Sequence, residues 1–452
     1  EDVLPFMRNA TAGRGVPDSR LLEVSGHYQG FGGASPINAR NAELRDALQA
    51  RLAERGSTLP IVVGNRNWHP FVSQALRELA DAGARRVLAL PTAAFGSYSG
   101  CRQYREDLAG AAALLAAGAD GSTGDGFEAD AAARVGGEGG APVDLTVDKT
   151  RPYYNTPGLL EANVDAIVEA YGTLAEQGVA AADVRLVLVT HSIPLGMEAG
   201  SAPTPESDGA SESAGAGQPA GRPAGPREPG VAADLSTEVS YVAQHRALAA
   251  VLVPEVARRL GLEEVESDLV YCSRSGPPQA RWLEPDVNDH LEALAVGQLT
   301  DGSPADRPGG VVVAPFGFIS DHMEVVFDLD TEAAQTARDL GMPYARAATV
   351  GTHPAFVDSL VDILIERAAV ARGEDVHPAS TTGVGPFHTV CPPSCCRPGT
   401  HHPGRHSRHG ADGAAHESAA GHQPAADGSC RPASAEPESL KPASCGRMKE
   451  KR

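Results

Sequence analysis

Lysine is nearly missing from this chain: only four of its 38 basic residues are Lys, at 149, 441, 449 and 451. The Arg bias speaks of a GC-rich genome more than of a function. Basic charge as a whole is short, since 58 acidic residues leave a net charge of −20. That excludes nucleic acid as the main partner, because phosphate binding needs a basic surface. No apolar run approaches the ~18 residues of a membrane helix, and no signal peptide opens the sequence. The expectation is therefore a cytoplasmic protein without stable membrane insertion. Cysteine is sparse and odd-numbered, seven in 452 residues, which excludes a disulfide-built secreted scaffold.

Glycine and proline are abundant, at 50 and 35 residues, but they bunch. The stretches 119–148, 198–236 and 397–452 are too rich in small, polar and charged residues to bury a core. The first two read as flexible, acidic surface insertions and the third as a disordered His- and Pro-rich tail. The rest is enough for two sizeable α/β domains. Short β-branched runs at 60–64, 86–90, 185–190, 268–272 and 310–315 read as strands. Helical patterns lie between and after them at 37–55, 71–82, 158–177, 242–260, 323–340 and 355–372. Such alternation implies parallel sheets with right-handed crossovers, and ligands then sit beyond the carboxyl ends of the strands.

Polar clusters follow most of those runs. His191, in Thr-His-Ser-Ile-Pro, suits a proton acceptor or metal ligand, or equally a hydrogen-bonded turn histidine. Its neighbour Ser192 lacks the Gly-x-Ser-x-Gly context of a serine hydrolase. Glu324, Asp328 and Glu332 are spaced to share one helix face, either as an exposed acidic surface or as hard oxygen ligands leading a divalent cation to a site. Ser35-Pro36 caps a helix whose N-terminus, behind Gly32-Gly33, would suit a carboxylate. Cys391, Cys395 and Cys396 suit a thiolate-bound zinc or iron–sulfur centre that needs a fourth ligand, for which Cys101 and Cys272 are the body's candidates.

The motifs GRGVP, FGGASPIN, GNRNWHP, SYSGCRQYRED, THSIP, SRSGPPQARWLEPDV and GFISDHMEVVFDLD occur in the order and spacing of the ferrochelatase family. The chain most resembles the actinobacterial-type coproporphyrin III ferrochelatases, over nearly all of residues 1–396. The resemblance implies two Rossmann-like, chelatase-type domains with a porphyrin cleft between them. It implies a monomeric lyase that inserts ferrous iron into coproporphyrin III for haem biosynthesis. Within the same fold, the other readings are a protoporphyrin or cobalt chelatase and a non-catalytic porphyrin or iron–sulfur sensor.

By the same resemblance, His191 would be the iron ligand and acceptor of pyrrole protons, with Glu324 facing it across the macrocycle. Asp328 and Glu332 would guide metal or carry protons away, and Ser35 and Tyr104 would hold propionates. Cys101, Cys391, Cys395 and Cys396 would ligate a 2Fe-2S cluster, with Cys272 a bystander. The implied organisation is an N-terminal domain at 1–118 and an insertion at 119–148. A C-terminal domain at 149–345 is interrupted at 198–236, and a helix with the Cys-rich segment packs back at 346–396 before the tail. Against the family pattern, about 17 residues carrying a first strand are expected to be missing before Glu1. Ala12 stands where an Arg is usual, and Cys272 and Arg281 replace residues of the SRSGPPQ segment.

Overall fold

The computed structural model describes residues 2–11, 16–118, 141–202, 240–274, 280–392 and 395–398. These described residues hold together as one compact unit. Its centre is β3 (Val184–His191), whose residues are buried along the whole strand up to His191. An unbroken β-branched and leucine run of this kind is what a parallel strand covered on both faces requires. β3 pairs in parallel with β4 (Ser267–Cys272) on one side and β5 (Gly310–Ala314) on the other, and β6 (Tyr344–Arg346) extends the sheet beyond β5.

Alternate residues of β3 serve two different cores. Leu186 and Leu188 join a large cluster with α6 (Pro157–Glu176), α8 (Tyr241–Leu260) and α12 (Pro354–Ala371). Val187 and Val189 join a second cluster with α9 (Val287–Ala295) and the helical stretch that begins at Met323. That stretch runs from α10 (Met323–Val325) through a π-helical segment (Val326–Ala333) into α11 (Ala334–Asp339).

The first part of the chain is mostly helical: α1 (Val3–Ala10), α2 (Asp18–Gly30), α3 (Ile37–Glu54), α4 (Val72–Asp81) and α5 (Gln103–Ala116). Among the described residues only β1 (Arg86–Ala89) and β2 (Thr146–Lys149) form a ladder here, in parallel, over a small core of Leu76, Ala80, Ala111, Leu115 and Leu145. The expected strand at 60–64 forms no ladder; only an isolated bridge joins Asn65 and Phe71. An apolar run becomes a strand only where a neighbouring chain supplies hydrogen bonds, and among the described residues none does. The helices at 37–55, 71–82, 158–177, 242–260 and 355–372 stand where their spacing placed them, to within two residues.

The insertion boundaries shift. Residues 119–140 lie outside the described part, but 141–148 are not an insertion, since Leu145 is buried and β2 starts at Thr146. Alternating polar residues hid that strand. Of 198–236, residues 198–201 complete α7 (Leu195–Ser201), and 203–236 lie outside the described residues, as does the tail from 399. No described helix is long and apolar enough to cross a membrane.

α12 packs back on the earlier part of the chain. Arg51 in the last turn of α3 and Arg55 just after it pair with Asp358 and Asp362, one turn apart on α12. These pairs are exposed and screened by solvent, so they orient the helices more than they stabilise them. The buried Arg151 is more committed, because its guanidinium takes both oxygens of Glu366 (2.8 and 3.1 Å) and the Ala379 carbonyl. α6 approaches α12 at Gly158, where a β-carbon would lie 1.8 Å from the Ala355 carbonyl oxygen. Gly158→Ala is expected to destabilise the fold by about 1–3 kcal/mol, read by urea denaturation; an unchanged midpoint would show that the helices separate without cost.

Candidate active site

The polar segments fall where the strands end. β3 delivers His191 at its last position, and the loops after β4 and β5 carry Ser273 and Phe316–Glu324 to the same edge of the sheet. The loop after β5 touches β3 closely. A β-carbon on Gly317 would lie 2.1 Å from the Thr190 hydroxyl, so only glycine lets this backbone pass.

His191 is oriented from two sides. Its Nδ1–H donates to the Ser192 carbonyl at 2.5 Å, which leaves Nε2 as the free nitrogen. Nε2 faces Glu324 Oε1 at 3.7 Å, and the other Glu324 oxygen lies 3.7 Å from His322 Nδ1. Burial opposes charge on His191, but the Glu324 carboxylate and the Ser192 carbonyl outweigh it and raise the imidazole above its ordinary pKa. Burial likewise opposes charge on Glu324, yet the two histidines hold it down at about 2. His322 itself is lowered, mainly by burial.

Behind His191 lies a buried polar chain. His245 donates from Nδ1 to the Tyr241 carbonyl (2.7 Å), so its Nε2 accepts from the Thr190 hydroxyl (2.8 Å). The Tyr241 hydroxyl lies 2.8 Å from Thr190 Oγ1 and 3.0 Å from the His191 carbonyl oxygen. Phe95 stacks on the His245 ring at 3.6 Å, and burial drives His245 down to about 3, so it stays neutral. Sequence reading missed this histidine because it sits near the start of α8 between Gln244 and Arg246, where nothing marks it as facing β3.

The acidic residues run on from Glu324. Asp328 accepts a hydrogen bond from Ser273, a non-glycine residue with a positive φ of 62°. Burial first, then the charges of Glu324 and Glu332, push Asp328 up to about 7. Burial raises Glu332 as well, with His27 acting against it. Two α2 residues that no motif flagged reach this row. His27 stacks on Phe327 with ring centroids 3.9 Å apart, and burial followed by Glu324 pushes Tyr28 up to about 12. α2 shows little amphipathic contrast in sequence, which is why it gave no signal.

Ser35 precedes α3, and its hydroxyl accepts from Ile37 N–H at 3.3 Å, one residue later than Pro36 at the first helical position would have it. Tyr104 lies under the Arg66 guanidinium, 4.9 Å from the ring centre, and Arg66 pairs with Asp107 at 2.5 Å. Neither Ser35 nor Tyr104 bonds to the His191–Glu324 pair.

A second cluster forms where the π-helical turn Tyr98–Arg102 meets the last described segment. Cys101, Cys391, Cys395 and Cys396 line one small cleft together with Arg102, Arg105 and Lys149. Lys149 Nζ lies 3.2 Å from Cys101 Sγ, and the Cys395 and Cys396 sulfurs are 3.5 Å apart. Hydrogen bonds from the Cys391 and Cys396 thiols hold Cys101 far below the usual thiol range, while Cys391 is raised as their donor. Cys272 stays apart in the second core, paired in register with His191. Among the described residues no three His, Cys, Asp or Glu side chains converge to hold a single metal ion.

Because Asp328 is raised from 3.8 to about 7, the folded chain binds more protons than the unfolded chain between those values, and stability falls as pH rises through that window. Asp328→Asn is expected to match the parent protein in thermal unfolding near pH ~4 and to exceed it near pH ~8. A difference that does not grow with pH would show that Asp328 is not desolvated.

The chain is similar to known proteins over most of its length. The ferrochelatase family model matches residues 1–368. A coproporphyrin III ferrochelatase of Streptomyces coelicolor is 41% identical over 401 residues, 88% of this chain and 89% of its own length. One from Streptomyces griseus is 41% identical over 396 residues, with the same coverage. A protein of Rhodopirellula baltica named ferrochelatase is 37% identical, covering 88% of this chain and 89% of its own. Among solved structures, a cobalt-bound sirohydrochlorin chelatase of Bacillus subtilis matches with a TM-score of 0.37 and 11% identity, over 74% of this chain and 92% of its own. With its family model spanning 368 residues and relatives near 40% identity, this chain belongs to the ferrochelatase family.

Proposed function

We propose that this protein is a coproporphyrin III ferrochelatase that inserts ferrous iron, its second substrate, into coproporphyrin III. The observation that carries the reading is His191 Nε2 facing Glu324 at 3.7 Å where β3 and β5 end, with an acidic row leading away. The substrate assignment is supported by the names of the Streptomyces relatives. Localisation in the cytoplasm and a monomeric state are part of the same proposal.

Iron enters a porphyrin only after two pyrrole N–H protons leave and the ion sheds water. His191 Nε2 is the proton acceptor, fixed as such by the Nδ1–H bond to Ser192. Glu324 makes that nitrogen more basic, and a dication arriving at Glu324 cancels the effect and favours release of the proton. Asp328, near neutrality, is suited to receive it, and Glu332 to pass it on. His191 and Glu324 are the groups proposed to meet the cation, whose other positions go to water and then to pyrrole nitrogens. Ser35 and Tyr104 remain assigned to the propionates.

Cys101, Cys391, Cys395 and Cys396 are proposed to hold a 2Fe-2S cluster, which supplies one-electron redox capacity or a covalent tie between distant segments. Four thiols lining one cleft beside Lys149 support this.

His191→Ala is expected to lower the insertion rate by ~100-fold or more while coproporphyrin still quenches protein fluorescence on binding; retained activity rejects the role. The protein should metallate coproporphyrin III faster than protoporphyrin IX, and the reverse order would overturn the substrate assignment. Purified without oxygen, it should be brown with a 2Fe-2S absorption spectrum that Cys395→Ser removes. A colourless protein holding one zinc would replace the cluster.

A further inference from the structure

The helical stretch that carries the acidic row changes register in its middle. It is α-helical at Met323–Val325, π-helical at Val326–Ala333 and α-helical again at Ala334–Asp339. A π stretch has poorer backbone geometry than an α-helix and persists where something around it demands the wider turn. The geometric consequence falls on the row itself. In a plain α-helix, four residues overshoot one turn by about 40°, so Glu332 would stand about 80° around the axis from Glu324. The wider turn removes most of that drift, and Asp328 feels the charges of both Glu324 and Glu332.

The partners of the π stretch on its outer side come from β6. Tyr344 donates its hydroxyl to the Leu329 carbonyl at 2.8 Å. Arg346, two residues on and therefore on the same face of the strand, grips the Asp330 carboxylate with Nε and reaches Asp321 with Nη1 at 3.2 Å. Asp321 also accepts from the Thr349 hydroxyl at 3.1 Å. One guanidinium thus joins the loop just before Glu324 to the middle of the π stretch, and it is only 17% exposed, shielded from the screening that weakens surface pairs.

We propose that Tyr344 and Arg346 are positioning residues that hold Val326–Ala333 in its wide register and so keep Glu324, Asp328 and Glu332 in one row leading to His191. This rests on the reading of that row as the path for metal or protons. Tyr344→Phe keeps the ring and loses only the bond to Leu329, while Arg346→Lys keeps the charge but cannot span both carboxylates.

The test measures ferrous-iron insertion into coproporphyrin III, with KM for iron separated from kcat, alongside porphyrin affinity and thermal stability. Tyr344→Phe is expected to raise the iron KM by about 2–10-fold, and Arg346→Met by about 10–100-fold. Arg346→Lys should recover part of the loss, and porphyrin affinity should not change in any of the three. Combined with Glu332→Gln, the effect of Tyr344→Phe should largely vanish, because the two act through one row. If Glu332→Gln and Asp328→Asn raise the iron KM but Tyr344→Phe and both Arg346 variants do not, the clamp is refuted while the row stands. Full additivity of Tyr344→Phe with Glu332→Gln, or equal loss of porphyrin affinity, also refutes it. If the Asp328 and Glu332 variants themselves change neither KM nor kcat, the reading of the row falls, and the clamp falls with it.

Discussion

The rest of the molecule depends on β3 being buried on both faces. A strand so placed has no freedom in register, because a slip of one residue would exchange Leu186 and Leu188 with Val187 and Val189 between two packed cores. It also has no water along its length, so Thr190 at 0% exposure must find protein partners, which it does in His245 and Tyr241. The strand therefore arrives at its carboxyl end with its backbone fixed, and His191 is the first side chain released toward solvent. A group that must take protons and meet a cation at one fixed point gains from being carried on such an element.

Opposite it, the arrangement is built from charge rather than from packing. Glu324 keeps its charge between His191 and His322 despite burial, while at Asp328 burial and the neighbouring carboxylates outweigh the Ser273 hydrogen bond and His191. Two carboxylates four residues apart on one stretch thus titrate far apart, Glu324 at about 2 as a fixed charge and Asp328 at about 7 as a proton carrier. The Cys cleft is assembled by different means. Cys396 bonds to the Ser201 carbonyl and Arg397 N–H to the Gly200 carbonyl, so the Cys-rich segment docks on α7, the helix that directly follows the His191 loop.

Legibility in the sequence followed burial pattern. β3, β4 and β5 and the helices at 37–55, 158–177 and 355–372 announced themselves because each buries a face or two, and their residue types repeat accordingly. β2, β6 and α2 did not, since each is short, polar or without contrast between faces. The run at 60–64 had the composition of a strand and no partner to pair with. At the site, His191, the acidic residues and the four cysteines stood out by residue type and neighbours, and the family resemblance gave them roles. His245, Tyr241, His27, Tyr344 and Arg346 did not, because each acts on residues of another element that only folding brings beside it.

What the sequence determined alone was chemistry and class: an α/β body, an acidic surface, a histidine and carboxylates at strand ends, a group of thiols, and membership of a family by ordered motifs. What the tertiary structure decided was which of these meet and in what state of charge. Spacing along a chain reports contacts within one helix or strand. The rise of the Asp328 pKa to about 7, the tautomer of His191 and the pairing of Lys149 with Cys101 each depend on burial and on partners that folding brings together. Those are properties of three-dimensional neighbourhoods, where desolvation and charge act over a few ångströms regardless of separation in sequence.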